Sequence, residues 1–248
     1  MTVYVLAPDD TAYSMNRHTA RIGFIARGED VCAFEKDEFD NLDLTEDDIV
    51  FGGVAFAKRT FRRLGWTDPQ LPSIPDEMQR IAGRSTWKST IGEVRRRVSA
   101  GERTFFKPLP QQLKRFTGLV ATRVGDLVST ASIPDETEVE CADVIDICAE
   151  YRTFVLNGSI IDLRPYNGDP LLFPDPDIVR DAVAAWASAP AAWAMDVAVT
   201  RQGETLLVEV NDGYAIGAYG LAPIRYAAMI DARWQQLRQQ NAGCGDTV

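Results

Sequence analysis

Near the carboxyl end, this 248-residue chain reads AMDVAVTRQGETLLVEVNDG over residues 194–213. The two apolar runs predict short strands, and residues 201–204 between them predict a tight turn. Alternation with a period of two puts Glu209 and Asn211 on one face of the second strand, and the hairpin brings Asp196 beside them. Two carboxylates and an amide oxygen are hard ligands of the kind that suit Mg²⁺ together with nucleotide phosphates.

The alternative is that these polar side chains are simply exposed to solvent, as acidic residues on strands most often are. Two details favour a site. Glu209 and Asn211 lie within an apolar run, and Asp212-Gly213 follows directly as a turn signal. Ligands of α/β enzymes commonly bind where a buried strand ends in such a loop. The stretch therefore indicates a nucleotide-using enzyme.

Composition limits the remaining choices. Hydrophobic residues make up 46% of the chain and charged residues 25%, which is typical of one large or two small globular domains. A formal net charge of −10 argues against non-specific nucleic-acid binding, and no apolar run approaches the length of a membrane span. The four cysteines and the single His18 lack zinc-site spacing, so we expect a reduced cytoplasmic protein without His-dependent hydrolysis.

The first 75 residues predict a small α/β domain. Strands at 2–7, 31–34 and 49–51 alternate with helices at about 14–27 and up to Leu64, which is the order of a small parallel sheet with covering helices. The proline-rich stretch 66–76 then predicts a domain boundary.

Residues 76–240 predict an α+β domain, and 241–248 a disordered tail. Antiparallel pairing is indicated by Asn157-Gly158, which separates two β-type runs and is a strong hairpin signal. Further strand-like runs lie at 104–108, 119–122, 127–129, 138–141 and 144–148. Lys88 is expected just before a helix, and helices are also expected at 178–187 and 222–239.

Four motifs in this order resemble the ATP-grasp superfamily, most closely its small, divergent, single-chain bacterial and phage members. They are Phe106-Lys107-Pro108, Glu150-Tyr151-Arg152-Thr153-Phe154-Val155, Asp196, and Glu209-Val210-Asn211. The resemblance covers roughly residues 77–238. It implies an ATP-grasp fold, in which two α+β lobes enclose ATP after a small α/β domain.

The resemblance also implies a chemistry and its residues. ATP-grasp enzymes activate a carboxylate as an acyl phosphate and join it to an amine, with ATP and Mg²⁺ as cofactors. In this chain the implied metal ligands are Asp196, Glu209 and Asn211, and the implied phosphate contacts are Lys107 and Arg152. Lys88 is a further candidate near the nucleotide, and Arg164 is a candidate for the substrate carboxylate or acyl phosphate. The strand with Glu138, Val139, Glu140 and Cys141 is expected to give adenine its backbone contacts.

Several alternatives stay open at this stage. Glu150 with Arg152, and Asp162 with Arg164, also fit ordinary salt bridges on a solvated sheet, worth about 0–1 kcal/mol each. The loop 109–118 has one glycine where many relatives have a glycine-rich flap, so Lys114 or Arg115 is a candidate phosphate contact.

Tyr214 and Tyr219 fit either an acceptor pocket or ordinary packing. The expected partners are ATP with carboxylate and amine substrates (an amino acid, peptide or protein); a homodimer is left open. A catalytically weak nucleotide-binding module and a phosphotransferase are the competing functions.

Overall fold

The computed structural model describes residues 1–11, 13–109 and 116–242, and these form three sheets with covering helices. The strands are β1 Thr2–Leu6, β2 Asp30–Phe34, β3 Ile49–Phe51, β4 Thr86–Thr90, β5 Thr104–Pro108, β6 Leu119–Ala121, β7 Glu138–Ala142, β8 Ile147–Leu156, β9 Ser159–Gly168, β10 Ala192–Thr200 and β11 Thr205–Asp212. The helices are α1 Ser14–Ala26, α2 Val54–Leu64, α3 Gln79–Ala82, α4 Ile91–Ser99, α5 Pro176–Ala185 and α6 Pro223–Asn241. Short 3₁₀ turns cover Phe39–Asn41, Asp76–Met78 and Val124–Thr130.

The first sheet is parallel, in the order β2-β1-β3, as the sequence predicts. Its core is continuous with the carboxyl end of the chain, because Phe24 and Phe61 share one buried cluster with Tyr226 and Trp234. Helix α1 approaches α6 so closely that a Cβ on Gly23 would overlap the backbone of α6. The expected boundary near residue 75 therefore does not separate two cores, and the division into domains stays a prediction.

The second sheet is antiparallel, in the order β4-β7-β5-β6, and packs on α4. Its strand β4 is missing from the sequence prediction, which placed Lys88 just before a helix. The strand predicted at 127–129 is also wrong: Val124–Thr130 is a 3₁₀ turn. The Asp126 carboxylate accepts hydrogen bonds from the backbone N–H groups of Thr122 and Arg123, so a local side-chain bond winds the chain into a turn.

The third sheet is antiparallel, in the order β11-β10-β8-β9. The predicted hairpin between β8 and β9 is confirmed, with positive φ angles of 48° at Asn157 and 73° at Gly158. The strand predicted from Val144 begins only at Ile147. One face of this sheet packs on α3 and α5, where Trp193 and Met195 are fully buried. The opposite face meets the first core at Phe154 and faces the second sheet across a cleft.

None of the helices in the described ranges is both long and apolar enough to cross a membrane. Helix α6 continues to Asn241, and residues 243–248 lie outside the described part of the chain.

Candidate functional site

The register of the third sheet aligns four charged side chains in one row. Arg164 on β9 pairs with Arg152 on β8, Arg152 with Asp196 on β10, and Asp196 with Glu209 on β11. Residues that pair directly in a sheet point to the same face, so this row presents two guanidinium groups and then two carboxylates. All four were singled out from the sequence, although their alignment across four strands could not be.

A second charged row crosses the second sheet and meets the first. Glu140 on β7 pairs with Lys88 on β4 and with Lys107 on β5. Lys107 Nζ lies 3.3 Å from Glu140 Oε1 and 3.1 Å from Glu209 Oε2. The contact between Lys107 and Glu209 joins the two sheets, so both rows border one cleft.

A bulge in β11 directs Glu209 into this cleft. The register of β10 and β11 shifts between Asp196 and Val197, which leaves Val208 as the extra residue. In an unbroken strand Leu207 and Glu209 would share a face, but Leu207 is fully buried among apolar side chains while Glu209 lies in the cleft. Asn211 then follows on the cleft face beside Glu209, as the sequence predicts.

Arg152 and Asp196 form a buried ion pair at the centre of the row. Arg152 Nε and Nη2 donate to the two Asp196 oxygens at 2.7 and 2.6 Å, and both residues are less than a tenth exposed. Burial opposes the charge on Arg152, but hydrogen bonds and the charge of Asp196 raise its pKa above the ordinary value. Tyr219 covers the guanidinium with its ring centroid 4.4 Å away. The solvated-sheet alternative therefore does not apply to Arg152.

The third nitrogen of Arg152, Nη1, has no hydrogen-bond partner in the part of the chain that the structure describes. It lies beside Gly217, where an added Cβ would come within 3.6 Å of it and within 2.7 Å of the Tyr219 ring. Arg164 shares the row but is 42% exposed at its side chain and pairs with Asp162 at 2.7 Å. Together they place donors at the open end of the row.

Glu209 is held as a carboxylate by its surroundings. Burial alone would raise its pKa, but the charge and hydrogen bond of Lys107, aided by Arg152 and Asn211, lower it below the ordinary value. The Asn211 amide lies 3.4 Å from both the Asp196 and Glu209 carboxylates. Hard oxygen donors are thus gathered at this end of the row.

These residues fit a magnesium ion only in part. Glu209 and Asn211 supply two oxygen donors at the cleft, which is a sufficient protein contribution when phosphates and water complete the shell. Asp196, the third expected ligand, has both oxygens engaged by Arg152. Among the described residues, no group of three or more His, Cys, Asp and Glu side chains is gathered to hold a metal.

The expected adenine contacts need correction. The backbone of Val139, Glu140 and Cys141 is paired on both edges, with β4 on one side and β5 on the other, so it has no free groups for a base. Val139 and Cys141 also bury their side chains in the core, and Glu138 lies exposed at the strand end. Unpaired backbone begins only after β7, at residues 144–145.

The remaining candidates separate clearly. Lys88 lies exposed in β4 on the same row as Lys107, without an ion pair in the described residues. Tyr214 is buried against Phe61 in the first core, which is ordinary packing, whereas Tyr219 is 46% exposed beside Arg152. Lys114 and Arg115 lie outside the described residues.

Sequence reasoning missed two groups at the site. Tyr166 stacks near Tyr219 with ring centroids 5.2 Å apart, and its hydroxyl donates to Glu150 at 3.2 Å. Burial, followed by the charges of Asp196 and Glu150, raises the pKa of Tyr166. Arg84 donates to the backbone of β11 next to Glu209. A lone arginine before an unpredicted strand gives no sequence signal, while Tyr166 could have been found by continuing the β9 alternation beyond Arg164.

Comparison with known proteins agrees with this arrangement. A family model described as an ATP-grasp domain, the second family of its clade, matches residues 81–229. No curated protein matches the chain by sequence.

The fold is similar to several solved ATP-dependent enzymes. The ATP-grasp ligase PsnB, solved with a minimal precursor, is 15% identical with a TM-score of 0.53, over 95% of this chain and 99% of PsnB. D-alanine–D-alanine ligase from Bacillus anthracis is 12% identical with a TM-score of 0.57, over 97% and 99% of the two chains. N5-carboxyaminoimidazole synthetase from Staphylococcus aureus is 8% identical with a TM-score of 0.59, over 93% and 77%. Because the family model covers more than half of the chain, the protein belongs to this ATP-grasp family and so to the ATP-grasp superfamily.

Proposed function

We propose that this protein is an ATP- and Mg²⁺-dependent ligase that activates a carboxylate as an acyl phosphate and joins it to an amine. The observation that carries the proposal is the contact of Lys107 with Glu209 across the cleft, at 3.1 Å. A nucleotide triphosphate with its metal needs a cation and a carboxylate facing each other at one place. Without the nucleotide, the two side chains neutralise one another.

The two rows divide the work between phosphate and metal. Lys107, with the exposed Lys88 beside it, supplies cations to the phosphate oxygens. Glu209 and Asn211 hold Mg²⁺, which when bound neutralises the charge that develops on the phosphates. Asp196 keeps Arg152 oriented, and the free backbone after β7, at residues 144–145, faces the base.

The arginines serve the carboxylate. Arg152 Nη1 and Arg164 donate to the substrate carboxylate, whose oxygen attacks the γ-phosphorus while ADP leaves. The amine then attacks the acyl carbon, phosphate leaves with the former carboxylate oxygen, and the nitrogen loses a proton as the amide forms. Arg152 stays cationic throughout because its pKa is raised, so it stabilises charge and transfers no proton.

The acceptor is an amino acid, a peptide or a protein. The exposed end of the row at Arg164 leaves room for a substrate larger than a metabolite. Two of the fold neighbours are, by name, a D-alanine–D-alanine ligase and a ligase solved with a precursor. At these identities the neighbours support the fold alone, so the acceptor class rests on the open geometry.

Calorimetric titration with a non-hydrolysable ATP analogue, with and without Mg²⁺, tests the proposal. Lys107→Ala is expected to weaken binding about ten- to a hundredfold, the value of one or more charge-assisted hydrogen bonds. Glu209→Ala is expected to abolish the gain in affinity that Mg²⁺ gives. Glu204→Ala is the matched control, because Glu204 is exposed in the turn of the same hairpin. Absence of binding by the wild-type protein would refute the proposal.

Product analysis then separates the competing functions. ADP and phosphate released together with an amide support a ligase. ADP with a stable phosphorylated product would indicate a phosphotransferase, and nucleotide binding without turnover across carboxylate and amine panels would indicate a binding module.

A further inference from the structure

One arginine outside the charged rows holds the backbone that carries Glu209. Arg84 Nη1 donates to the carbonyl of Leu207 at 2.6 Å, and Nη2 donates to the carbonyl of Val208 at 2.5 Å. A weaker bond reaches Ala82 at 3.3 Å. The two β11 carbonyls belong to the residues at the register shift, immediately before Glu209.

The bulge explains why these carbonyls need such a partner. In a regular strand, successive carbonyls point to opposite edges, but here Leu207 and Val208 both direct theirs to one guanidinium. β11 is an edge strand, so neither carbonyl has a neighbouring strand on that side. The planar fork of arginine spans two adjacent acceptors, which a single ammonium group cannot do with the same geometry.

The segment that carries Arg84 also grips β11 on the other side of Glu209. The Ser73 carbonyl accepts a hydrogen bond from the Val210 N–H at 2.9 Å, and the Ser73 hydroxyl donates to Glu140 at 3.2 Å. Glu209 is therefore held from both flanking residues, at Val208 and at Val210. The same segment contacts the second sheet through Glu140, so it links the two rows.

From this geometry we propose that Arg84 is a positioning residue, which braces the β11 bulge so that Glu209 faces Lys107 and the metal-bound nucleotide. The inference rests on the proposed function for its ligand but not for its structural content. A one-residue slip of a strand exchanges its two faces, so an unbraced bulge would let Glu209 turn away from the cleft.

Three variants test the brace. Arg84→Met keeps the aliphatic stem and removes the fork; Arg84→Lys keeps the charge and removes only the fork. Arg80→Ala is the matched control, since Arg80 is exposed on the same segment. Two quantities are measured: hydrogen exchange of the amides of residues 207–211, and the ratio of affinities for a non-hydrolysable ATP analogue with and without Mg²⁺.

We expect Arg84→Met to speed exchange at residues 207–211 and to lower the Mg²⁺ affinity ratio by about 10- to 100-fold, the usual effect of losing a group that orients a metal ligand. Arg84→Lys should shift both quantities in the same direction, and Arg80→Ala should shift neither. Wild-type exchange and an unchanged ratio in Arg84→Met would overturn the proposal.

Wild-type behaviour of Arg84→Lys alone would also overturn it, by showing that charge suffices without the fork. If Arg84→Met fails to fold, the same two readouts on Arg84→Lys decide. If the wild-type protein binds no nucleotide, the proposed function fails, and exchange at residues 207–211 alone decides whether Arg84 braces the bulge.

Discussion

Replacement of Asp196 by Asn should destabilise the protein far more than the loss of an ordinary surface charge. The change keeps the size of the side chain and removes its charge, which leaves the Arg152 guanidinium only 7% exposed and without its counter-ion. The pair has two charge-assisted hydrogen bonds of 2.7 and 2.6 Å, each worth about 1.5–3 kcal/mol. Breaking a buried pair from one side costs about 3–5 kcal/mol, which lies within the sum of those two bonds.

Urea denaturation of four proteins measures this: wild type, Asp196→Asn, Arg152→Met and the double variant. At about 2–4 °C per kcal/mol for a chain of this size, Asp196→Asn should also lower the Tm by roughly 6–20 °C. The double variant removes both charges and should recover much of the loss, giving a coupling free energy above about 2 kcal/mol. No nucleotide is needed, so the result does not depend on the proposed function.

The control is Asp177→Asn, because the ion pair of Asp177 with Arg180 has both side chains more than half exposed. That pair should contribute under about 1 kcal/mol. A loss in Asp196→Asn no larger than in Asp177→Asn, or a coupling free energy near zero, would refute the view that Asp196 serves chiefly to hold Arg152.

Two further predictions concern stability away from the cleft. Gly168→Ala should cost well over 2 kcal/mol by urea denaturation, because Gly168 has a φ of 77° and its new Cβ would overlap the backbone of β8. Gly158→Ala, at a φ of 73° with open space around it, should cost only the left-handed strain of about 1–2 kcal/mol; equal losses would contradict the overlap. Asp48 gives a pH dependence: burial alone would raise its pKa, but hydrogen bonds from Thr2 and Thr45 hold it below 3.8. Because the folded-state pKa is depressed, this stability is present above pH 3.8 and is lost as the pH falls through the folded-state value, so the stability gap between wild type and Asp48→Asn should narrow there; a gap that widens on acidification would contradict the assignment.

Much of the fold follows from local sequence patterns. The parallel order of the first sheet, the Asn157-Gly158 hairpin and the β10–β11 hairpin are each determined by nearby residues, and each is confirmed. The errors arise where a neighbour in space decides. β4 forms because β7 pairs with it along five residues, and the apolar run at 127–129 winds into a turn because Asp126 binds the backbone before it.

The candidate site divides in the same way. Residues on one hairpin, such as Asp196, Glu209 and Asn211, could be placed together from alternation alone. The β11 bulge could not be predicted, because the carbonyls that it exposes are bonded by Arg84, more than a hundred residues earlier in the chain. The same holds for the pairing of Arg152 with Asp196 rather than with Glu150, which depends on the register between β8 and β10.

The whole-chain charge gives the wrong expectation for this cleft. A net charge of −10 predicts repulsion of an anionic ligand, yet the two rows bring four cations, Lys88, Lys107, Arg152 and Arg164, against three carboxylates, Glu140, Asp196 and Glu209. Charges on the remaining surface are screened beyond about 10 Å at 0.1 M salt, whereas groups lining the cleft act at contact distance. The local excess of positive charge therefore governs how the cleft meets phosphate. Much of the acidic surface lies too far away to oppose binding at physiological ionic strength, and its repulsion should matter chiefly at low salt.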